Sequence, residues 1–202
     1  MKVLIVYYST YGNTFKMAKF VEEGVRLVKG VEPVLRKVPE LIPDSVINSK
    51  PEMKVGSEMQ KDVPIVTFDD FREASGYAFG TPTRFGNVSS QLKNIIDQLG
   101  QLWFERIFEG KPAGIFVSTS TLHGGQEATI LSLVSVLLHL GCVIVGVPYS
   151  VDDLYVTKGG GSPYGPSHLA GVDNKRDIDE NEANICRNFG KRLAELVIKL
   201  NK

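Results

Sequence analysis

A continuous apolar run near the start of the chain constrains the fold more than any other feature. Residues 3–8 read VLIVYY, with no polar residue to face water on either side of a strand. Such a run is typical of a parallel sheet covered by helices on both faces, because a solvated face would show alternating polar side chains. The run stops at Ser9, where the polar stretch STYGNT begins. The sequence therefore predicts a buried strand followed by a loop rich in hydroxyl groups.

Strand and helix patterns alternate along the rest of the chain. The first helix follows Asn13, and its apolar stripe consists of Met17, Val21, Val25 and Val28 before Gly30. Further strands are predicted at residues 34–38, 76–80, 113–119 and 142–147, and further helices at residues 88–99, 126–139 and 185–200. Parallel strands need crossover helices to join them, so this order predicts a doubly wound, five-stranded parallel α/β sheet with helices on both faces.

Two segments interrupt the alternation. Residues 39–64 contain four prolines among mixed charges and have no clear period, so we predict an insertion with little regular structure. Residues 148–179 are also predicted to be irregular. Residues 158–171 within them are interpreted as a lid or a subunit contact, and the alternative is that their GGG stretch is a flexible loop. A chain of 202 residues has the size of a single domain, and we expect residues 1–202 to form one.

Composition argues against several classes of function. Lys plus Arg and Asp plus Glu both number 23, so no net charge attracts a nucleic acid or a membrane surface. No apolar run approaches the roughly 18 residues of a membrane helix, and the start does not resemble a signal peptide. We therefore expect a cytoplasmic protein without stable membrane insertion. The only cysteines, Cys142 and Cys186, lack metal-type spacing, which predicts buried thiols and no metal site.

Three polar loops are predicted to meet at one edge of the sheet. Ligands of open parallel sheets bind beyond the carboxyl ends of the strands, and these loops follow the first, third and fourth strands. The first loop contains Ser9, Thr10, Tyr11, Gly12, Asn13 and Thr14. The second contains Pro82, Thr83, Arg84, Phe85, Gly86 and Asn87. The third contains Ser118, Thr119, Ser120, Thr121, Leu122, His123 and Gly124.

The first loop is interpreted as an anion site. It lies just before a helix start, where unpaired N–H groups and the positive end of the helix dipole favour an anion. It matches neither the triphosphate pattern GxxxxGK[ST] nor the dinucleotide pattern GxGxxG, and it contains no lysine or arginine. Binding by dipoles alone suits a single terminal phosphate better than a triphosphate. The alternative is an ordinary capped turn in which Asn13 or Ser9 satisfies the helix N–H groups.

The second and third loops are interpreted as the walls of a flat heterocycle site. Their glycines let the backbone approach a planar ligand closely. Phe85 is predicted to supply an aromatic wall, and His123 to donate a hydrogen bond to a ring oxygen. The alternatives are a surface charge with a partner for Arg84, a core aromatic for Phe85 and a solvated loop residue for His123.

The segments YYSTYGNT, GTPTRFGN, STSTLHGGQE and GGGSPYGPSHLAG together resemble the WrbA-type, or type IV, NAD(P)H:quinone oxidoreductases, which are flavodoxin-like proteins that bind FMN. The resemblance covers nearly the whole chain. It implies that residues 9–14 hold the FMN phosphate and that residues 82–87 and 118–124 surround the isoalloxazine ring. It also implies a homotetramer (or dimer) and a substrate cavity with Trp103, Phe85 and His123 as candidate lining residues.

One position departs from the family pattern, which has a histidine immediately before the glycine at a helix-to-strand junction. Here Leu140 takes that place, and His139 lies one residue earlier. One step along a helix rotates a side chain by about 100°, so His139 does not inherit a contact with the ring. The alternative for His139 is a helix C-terminal residue favoured by the helix dipole.

The expected activity is the two-electron reduction of a small-molecule quinone by NADH or NADPH, in a ping-pong reaction with FMN and with no catalytic residue beyond the flavin. The two predicted ring loops contain no Asp or Glu, whereas Arg84 and His123 could stabilise a reduced anionic flavin. A flavodoxin-like one-electron carrier, a regulatory interaction protein and a flavin or azo reductase remain as alternatives. The sequence does not indicate a preference between NADH and NADPH, nor the physiological quinone.

Overall fold

A computed structural model describes residues 1–201. Its strands are β1 (Lys2–Tyr7), β2 (Glu32–Lys37), β3 (Gly76–Pro82), β4 (Pro112–Thr119), β5 (Val143–Ile144) and β6 (Ser167–Leu169). Its helices are α1 (Asn13–Arg26), α2 (Asp44–Ser49), α3 (Pro51–Met59), α4 (Phe68–Glu73), α5 (Ser90–Asp97), α6 (Gly100–Phe104), α7 (Gln126–His139), α8 (Asp153–Val156) and α9 (Glu180–Leu200). None of these helices has the length and apolar character needed to cross a membrane.

The strands form one parallel sheet in the order β2-β1-β3-β4-β5. The chain winds outward from β1 to β2 and then returns to build β3, β4 and β5 on the other side of β1. The prediction of a doubly wound, five-stranded parallel sheet is therefore confirmed. A sixth strand, β6, was not predicted and pairs with the last three residues of β4. The winding direction reverses between β1 and β3, which places the ligand-binding crevice at their carboxyl ends.

Both faces of β1 are buried, as its unbroken apolar sequence requires. Val3, Ile5 and Tyr7 pack on one face with α1 and α9. Leu4 and Val6 pack on the other face with α5 and α7. Successive side chains of a strand point to opposite faces, so this single segment contributes to both cores and fixes the sheet between two helical layers.

The prediction that residues 39–64 have little regular structure is wrong, because α2 and α3 both lie within them. The prolines start these helices instead of breaking them. Pro43 precedes the first residue of α2, and Pro51 is the first residue of α3. A proline has no N–H to donate, and the first N–H groups of a helix have no partner within the helix, so proline is well suited to that position.

The prediction that residues 148–179 are irregular is also wrong in part, because they contain α8 and β6. The interpretation of GGG as a flexible loop is wrong as well. Gly159 and Gly160 are buried, and a Cβ on Gly160 would lie 2.1 Å from the carbonyl oxygen of Ser167. These glycines therefore permit a close approach of two backbone segments. Elsewhere the fifth strand is shorter than predicted, since β5 comprises only two residues.

Helix α7 buries one side and exposes the other. Ile130, Leu133 and Leu137 lie in the core, whereas the side chains of Leu131 and Leu138 remain 47% and 59% exposed. A helix that is apolar nearly all round is either deeply buried or part of a subunit interface. Within one chain the helix is buried on one side only, so an apolar stripe faces outward.

Helices α1 and α9 approach each other unusually closely because each presents a glycine to the other. A Cβ on Gly190 would lie 2.2 Å from the carbonyl oxygen of Val21, and one on Gly24 would lie 2.0 Å from that of Arg187. Neither backbone oxygen can move without displacing its helix. This crossing packs the two helices of one layer tightly together.

We expect Gly190→Ala to lower the free energy of unfolding by about 1–3 kcal/mol, because the added methyl group forces α1 and α9 apart. The matched control is Gly100→Ala in α6, where an added Cβ meets no atom within 4 Å. Alanine should be neutral or stabilising there, since it has the higher helix propensity. Urea or thermal unfolding measures both variants, and equal effects at the two sites would contradict the packing argument.

Candidate functional site

The three polar loops meet at the carboxyl edge of the sheet, as the sequence predicted. They enclose a cavity of about 50 Å³ whose walls come from every loop. The cavity is lined by Ser9, Thr10, Tyr11, Asn13 and Thr14 from the first loop, Pro82, Thr83 and Arg84 from the second, Ser118, Thr119 and Ser120 from the third, and Asn174. We call it the anion pocket. Asn174 was not among the predicted site residues.

The first loop presents a row of free donors to the anion pocket. No side chain caps α1, because the residue before it is Gly12. The backbone N–H groups of residues 10–15 donate to no acceptor within the described part of the chain. Ser9 and Thr14 are at least 95% buried, line the pocket and make no side-chain hydrogen bond within residues 1–201. The alternative of an ordinary capped turn is therefore wrong.

The segment at residues 39–64 supports this loop from behind. Gln60 donates from Nε2 to the carbonyl oxygen of Ser9 at 2.7 Å. Gly12 has a φ of +89°, and a Cβ there would lie 2.9 Å from Sδ of Met59. A Cβ on Gly56 would lie 2.5 Å from the carbonyl oxygen of Thr10. Helix α3 therefore packs directly against the loop backbone and fixes the direction of its N–H groups.

Arg84 brings a positive charge to the anion pocket from the second loop. Its Nη2 donates to Oγ1 of Thr10 at 2.8 Å, and its Nη1 donates to the carbonyl oxygen of Thr83 at 2.9 Å. The expectation that dipoles alone would bind the anion is therefore wrong. The first loop contains no cation, yet the fold supplies one from a distant part of the chain. The alternative of a surface charge with a partner is also wrong, because Arg84 is half-buried and joins the first and second loops.

The second loop is a tight turn with Phe85 at its tip. Arg84 and Asn87 exchange both of their backbone hydrogen bonds, and the two residues between them have φ angles of +54° (Phe85) and +76° (Gly86). Positive φ at both central positions is typical of a two-residue hairpin turn. The Phe85 side chain is fully exposed, so the alternative of a core aromatic is wrong. A bulky residue in this backbone conformation is uncommon.

The second and third loops lie side by side. Thr83 Oγ1 lies 2.8 Å from Oγ1 of Thr129 and accepts from the N–H of Gly86 at 3.2 Å. A Cβ on Gly125 would lie 2.9 Å from Cα of Gly86. His123 is exposed and forms no hydrogen bond with the rest of residues 1–201, as expected for a solvated loop histidine in the single chain. The two loops form a rim beside the anion pocket.

Trp103 and His139 lie at the other edge of the sheet. Helices α5 and α7 start at the second and third loops and run against the strand direction, so they end at the amino edge. There Trp103 donates from Nε1 to the carbonyl oxygen of His139 at 3.1 Å, beside a separate hollow of about 240 Å³. Leu140 is buried, whereas His139 is exposed in the last turn of α7. Within one chain, neither Trp103 nor His139 approaches the three loops.

A polar pair of the buried Tyr8 and the exposed Glu40 lies behind the first loop and was not predicted. Tyr8 donates from its hydroxyl to Oε2 of Glu40 at 2.9 Å, and Glu40 also accepts from the N–H groups of Leu41 and Ile42. Burial, and then the Glu40 carboxylate, raise the pKa of Tyr8 well above its usual value. The tyrosine therefore stays a neutral donor. The pair lines a second hollow of about 210 Å³, between the first loop and helices α2 and α3.

The donor set fits a phosphate monoester. Backbone N–H groups at a helix start, two free hydroxyls and one guanidinium are the groups that bind a terminal phosphate in proteins. Among residues 1–201, no three His, Cys, Asp or Glu side chains form a metal-binding cluster. Both cysteines are buried and free, and burial raises the pKa of Cys142 to about 12. The site therefore offers anion binding and flat-ligand packing, with no thiolate nucleophile.

Comparisons with known proteins agree with this site. The family model described as NADPH-dependent FMN reductase matches residues 1–155. A Geobacter metallireducens protein named NAD(P)H dehydrogenase (quinone) is 45% identical over 210 aligned residues, covering 99% of both chains. A Geobacter sulfurreducens protein of the same name is 44% identical and covers 100% of both chains. The flavodoxin, WrbA-like protein from Agrobacterium tumefaciens superposes with a TM-score of 0.68 at 21% identity over 98% of each chain, which shows a flavodoxin-like fold.

We expect Arg84→Gln to weaken binding of a phosphate monoester ligand such as FMN by roughly tenfold, because a charge-assisted hydrogen bond contributes about 1.5–3 kcal/mol. Riboflavin, which lacks the phosphate, should bind both forms equally. The control is Arg192→Gln at an exposed position of α9. Flavin fluorescence titrations measure each affinity, and a parallel loss for FMN and riboflavin would contradict a role at the phosphate.

Proposed function

The chain belongs to the NADPH-dependent FMN reductase family, and from that premise we propose that it is an FMN-dependent NAD(P)H:quinone oxidoreductase, which reduces quinones to hydroquinones by two electrons. The resemblance to the WrbA-type family is confirmed by the full-length relatives named NAD(P)H dehydrogenase (quinone). One structural observation carries the proposal. The uncapped start of α1 and the Arg84 guanidinium together line a pocket suited to one terminal phosphate, beside a rim suited to a flat ring.

Each loop has a role in holding FMN. The N–H groups of residues 10–15 and the hydroxyls of Ser9 and Thr14 bind the phosphate, and Arg84 adds the positive charge. Residues 82–87 and 118–124 lie along the isoalloxazine ring. When bound, FMN supplies the redox chemistry, since it can accept a hydride from a nicotinamide and pass two electrons to a quinone. NADH or NADPH is the electron donor.

The protein contributes position and electrostatics instead of a reacting side chain. Phe85 and His123, both exposed at the rim, border the place where a substrate can lie against the ring. The nicotinamide and the quinone occupy this place in turn, which makes the kinetics ping-pong. Neither rim loop carries Asp or Glu, so no carboxylate of these loops repels the negative charge that two-electron reduction adds to the flavin. Positioning of the two reactants in one orientation is the main rate contribution of the chain.

We propose that the active form is a homotetramer, or a dimer. Exposed apolar side chains support this, namely Phe85, Trp103, Phe104, Leu131 and Leu138. Since Trp103 lies at the amino edge of the sheet, it can border a substrate cavity only on a neighbouring copy. We expect sedimentation velocity to give a mass four times, or twice, that of one 22.2 kDa chain. A monomer at micromolar concentration would contradict this assembly.

We also propose that residues 1–202 act as one domain and that the reaction takes place in the cytoplasm. The shared sheet supports the first proposal, because the anion pocket draws on the first loop and on Asn174 near the opposite end of the chain. Two buried free thiols and a nicotinamide donor support the second, since both are typical of a reducing compartment.

We expect the protein incubated with FMN to be yellow, to lose its colour with NADH or NADPH under anaerobic conditions, and to regain it with benzoquinone. Initial rates measured at several fixed quinone concentrations should give parallel double-reciprocal lines, as substrates that exchange at one place require. A preparation that stays colourless in excess FMN would overturn the function. Intersecting lines would overturn only the ping-pong order.

A photometric redox titration separates this enzyme from a one-electron carrier. The proposed function predicts a direct change from the oxidised to the fully reduced spectrum at neutral pH. Accumulation of a third spectral species would favour the carrier, because such proteins stabilise a state between the two. Turnover with free flavins or azo dyes in place of quinone would identify the reductase alternative at the same site.

A further inference from the structure

We propose that Asn174 makes the anion pocket selective for a terminal phosphate monoester, so that the site binds FMN and rejects FAD. This inference rests on the proposed function, because it concerns the same cofactor. Asn174 belongs to residues 170–177, a segment that we call the clasp. Asn174 is the clasp residue that lines the anion pocket, together with residues of the three predicted loops.

Asn174 is placed where its amide can reach the bound anion. It lines the anion pocket, and Asn13 donates from Nδ2 to its carbonyl oxygen at 3.4 Å. Its own side chain forms no hydrogen bond with any other residue of the described chain. Each of its two side-chain N–H groups is therefore available to a phosphate oxygen.

The backbone of the clasp fixes the direction of this side chain. Asn174 has a φ of +58° and donates from its N–H to the carbonyl oxygen of Gly171, whose φ is +79°. Left-handed backbone favours glycine, and asparagine is among the few other residues that adopt it readily. An asparagine here keeps the turn and adds an amide that glycine lacks.

The clasp is joined to the rest of the site at both ends. The N–H of Ala170 donates to the carbonyl oxygen of Thr119 at 2.7 Å, which continues the β4–β6 pairing into the clasp. At the other end, Asp177 accepts from Nζ of Lys16 on α1 at 2.9 Å. The clasp therefore runs from the third loop to α1, the helix that begins in the first loop.

An ion network around the buried Glu182 holds the clasp in place through Arg176. Arg176 donates from Nη1 to both carboxylate oxygens of Glu182 at 2.9 Å and to the carbonyl oxygen of Leu169 at 2.7 Å. Glu182 is fully buried and also pairs with the buried His168. Burial alone would raise the pKa of Glu182, but hydrogen bonds from His168 and from backbone N–H groups keep it below its usual value. A segment held by these contacts does not move aside for a larger ligand.

FMN and FAD differ at the phosphate group, and this difference determines which of them the pocket accepts. The phosphate of FMN ends in three oxygens, which the free N–H groups, Arg84 and the Asn174 amide can satisfy together. In FAD one of those oxygens is bonded to a second phosphate and an adenosine. The anion pocket measures only about 50 Å³ and Asn174 lines it, so the second phosphate of FAD would have to displace Asn174. Riboflavin has no phosphate and gains nothing from Asn174.

The test is a set of fluorescence titrations of the full chain, freed of flavin, with FMN, riboflavin and FAD. For Asn174→Gly, which keeps the turn, we expect FMN affinity to fall roughly tenfold and riboflavin affinity to stay within about twofold. FAD, rejected by the natural chain, should gain measurable affinity. For Asn174→Asp, which has nearly the same shape, FMN affinity should fall about a hundredfold, because a carboxylate repels the phosphate. The matched control is Val172→Gly, on the same turn but 83% exposed.

The outcomes separate this inference from the proposed function. If the natural chain binds FMN but both Asn174 variants match the control, Asn174 has no part in phosphate selection. If FMN and riboflavin affinities fall in parallel, Asn174 only maintains the structure, and the inference is again overturned. Failure of the natural chain to bind FMN at all would overturn the proposed function together with this inference. Unfolding curves of each variant establish that it folds.

Discussion

The structure depends on one electrostatic feature, the unsatisfied N–H groups at the start of α1. A helix normally satisfies some of these groups with a capping side chain, and this helix has only Gly12 before it. Donors that are held at the bottom of a pocket without an acceptor create a strong preference for an anion. Everything around the first loop serves to keep those donors aligned, and the anion then completes their hydrogen bonding.

Two parts of the chain that look irregular in sequence perform this alignment. Helix α3 packs behind the loop, where Gln60 and Met59 contact its backbone. The clasp contributes Asn174 to the opposite wall and is supported by the ion pair between Arg176 and the buried Glu182. The loop is thus fixed between two walls, so a ligand finds its donors already oriented and loses less entropy on binding. Preorganisation of this kind supports the proposal that this short loop, which has no cation of its own, binds a phosphate.

The rim differs from the pocket in what it leaves exposed. Phe85 occupies a strained turn and projects fully into solvent, and α7 exposes an apolar stripe that one chain does not cover. Packing within one chain does not require either of these exposed surfaces. Under the proposed function, a planar substrate and further copies of the chain would cover them. The phosphate end of the proposed site is complete in one chain, whereas the ring end depends on what binds to it.

The sequence by itself determined the doubly wound sheet and the three loops at its edge, because the alternation of strands and helices is a local pattern and parallel strand ends must meet. It also determined the family, through GTPTRFGN and the loops around it. Only the tertiary structure decided that Arg84 reaches Thr10, 74 positions away, and that Asn174 contacts Asn13 across 161 positions. No local period encodes such contacts. The close-packed glycines and the helices that begin at prolines were not predicted for the same reason. The structural role of such a residue depends on which backbone segment lies beside it.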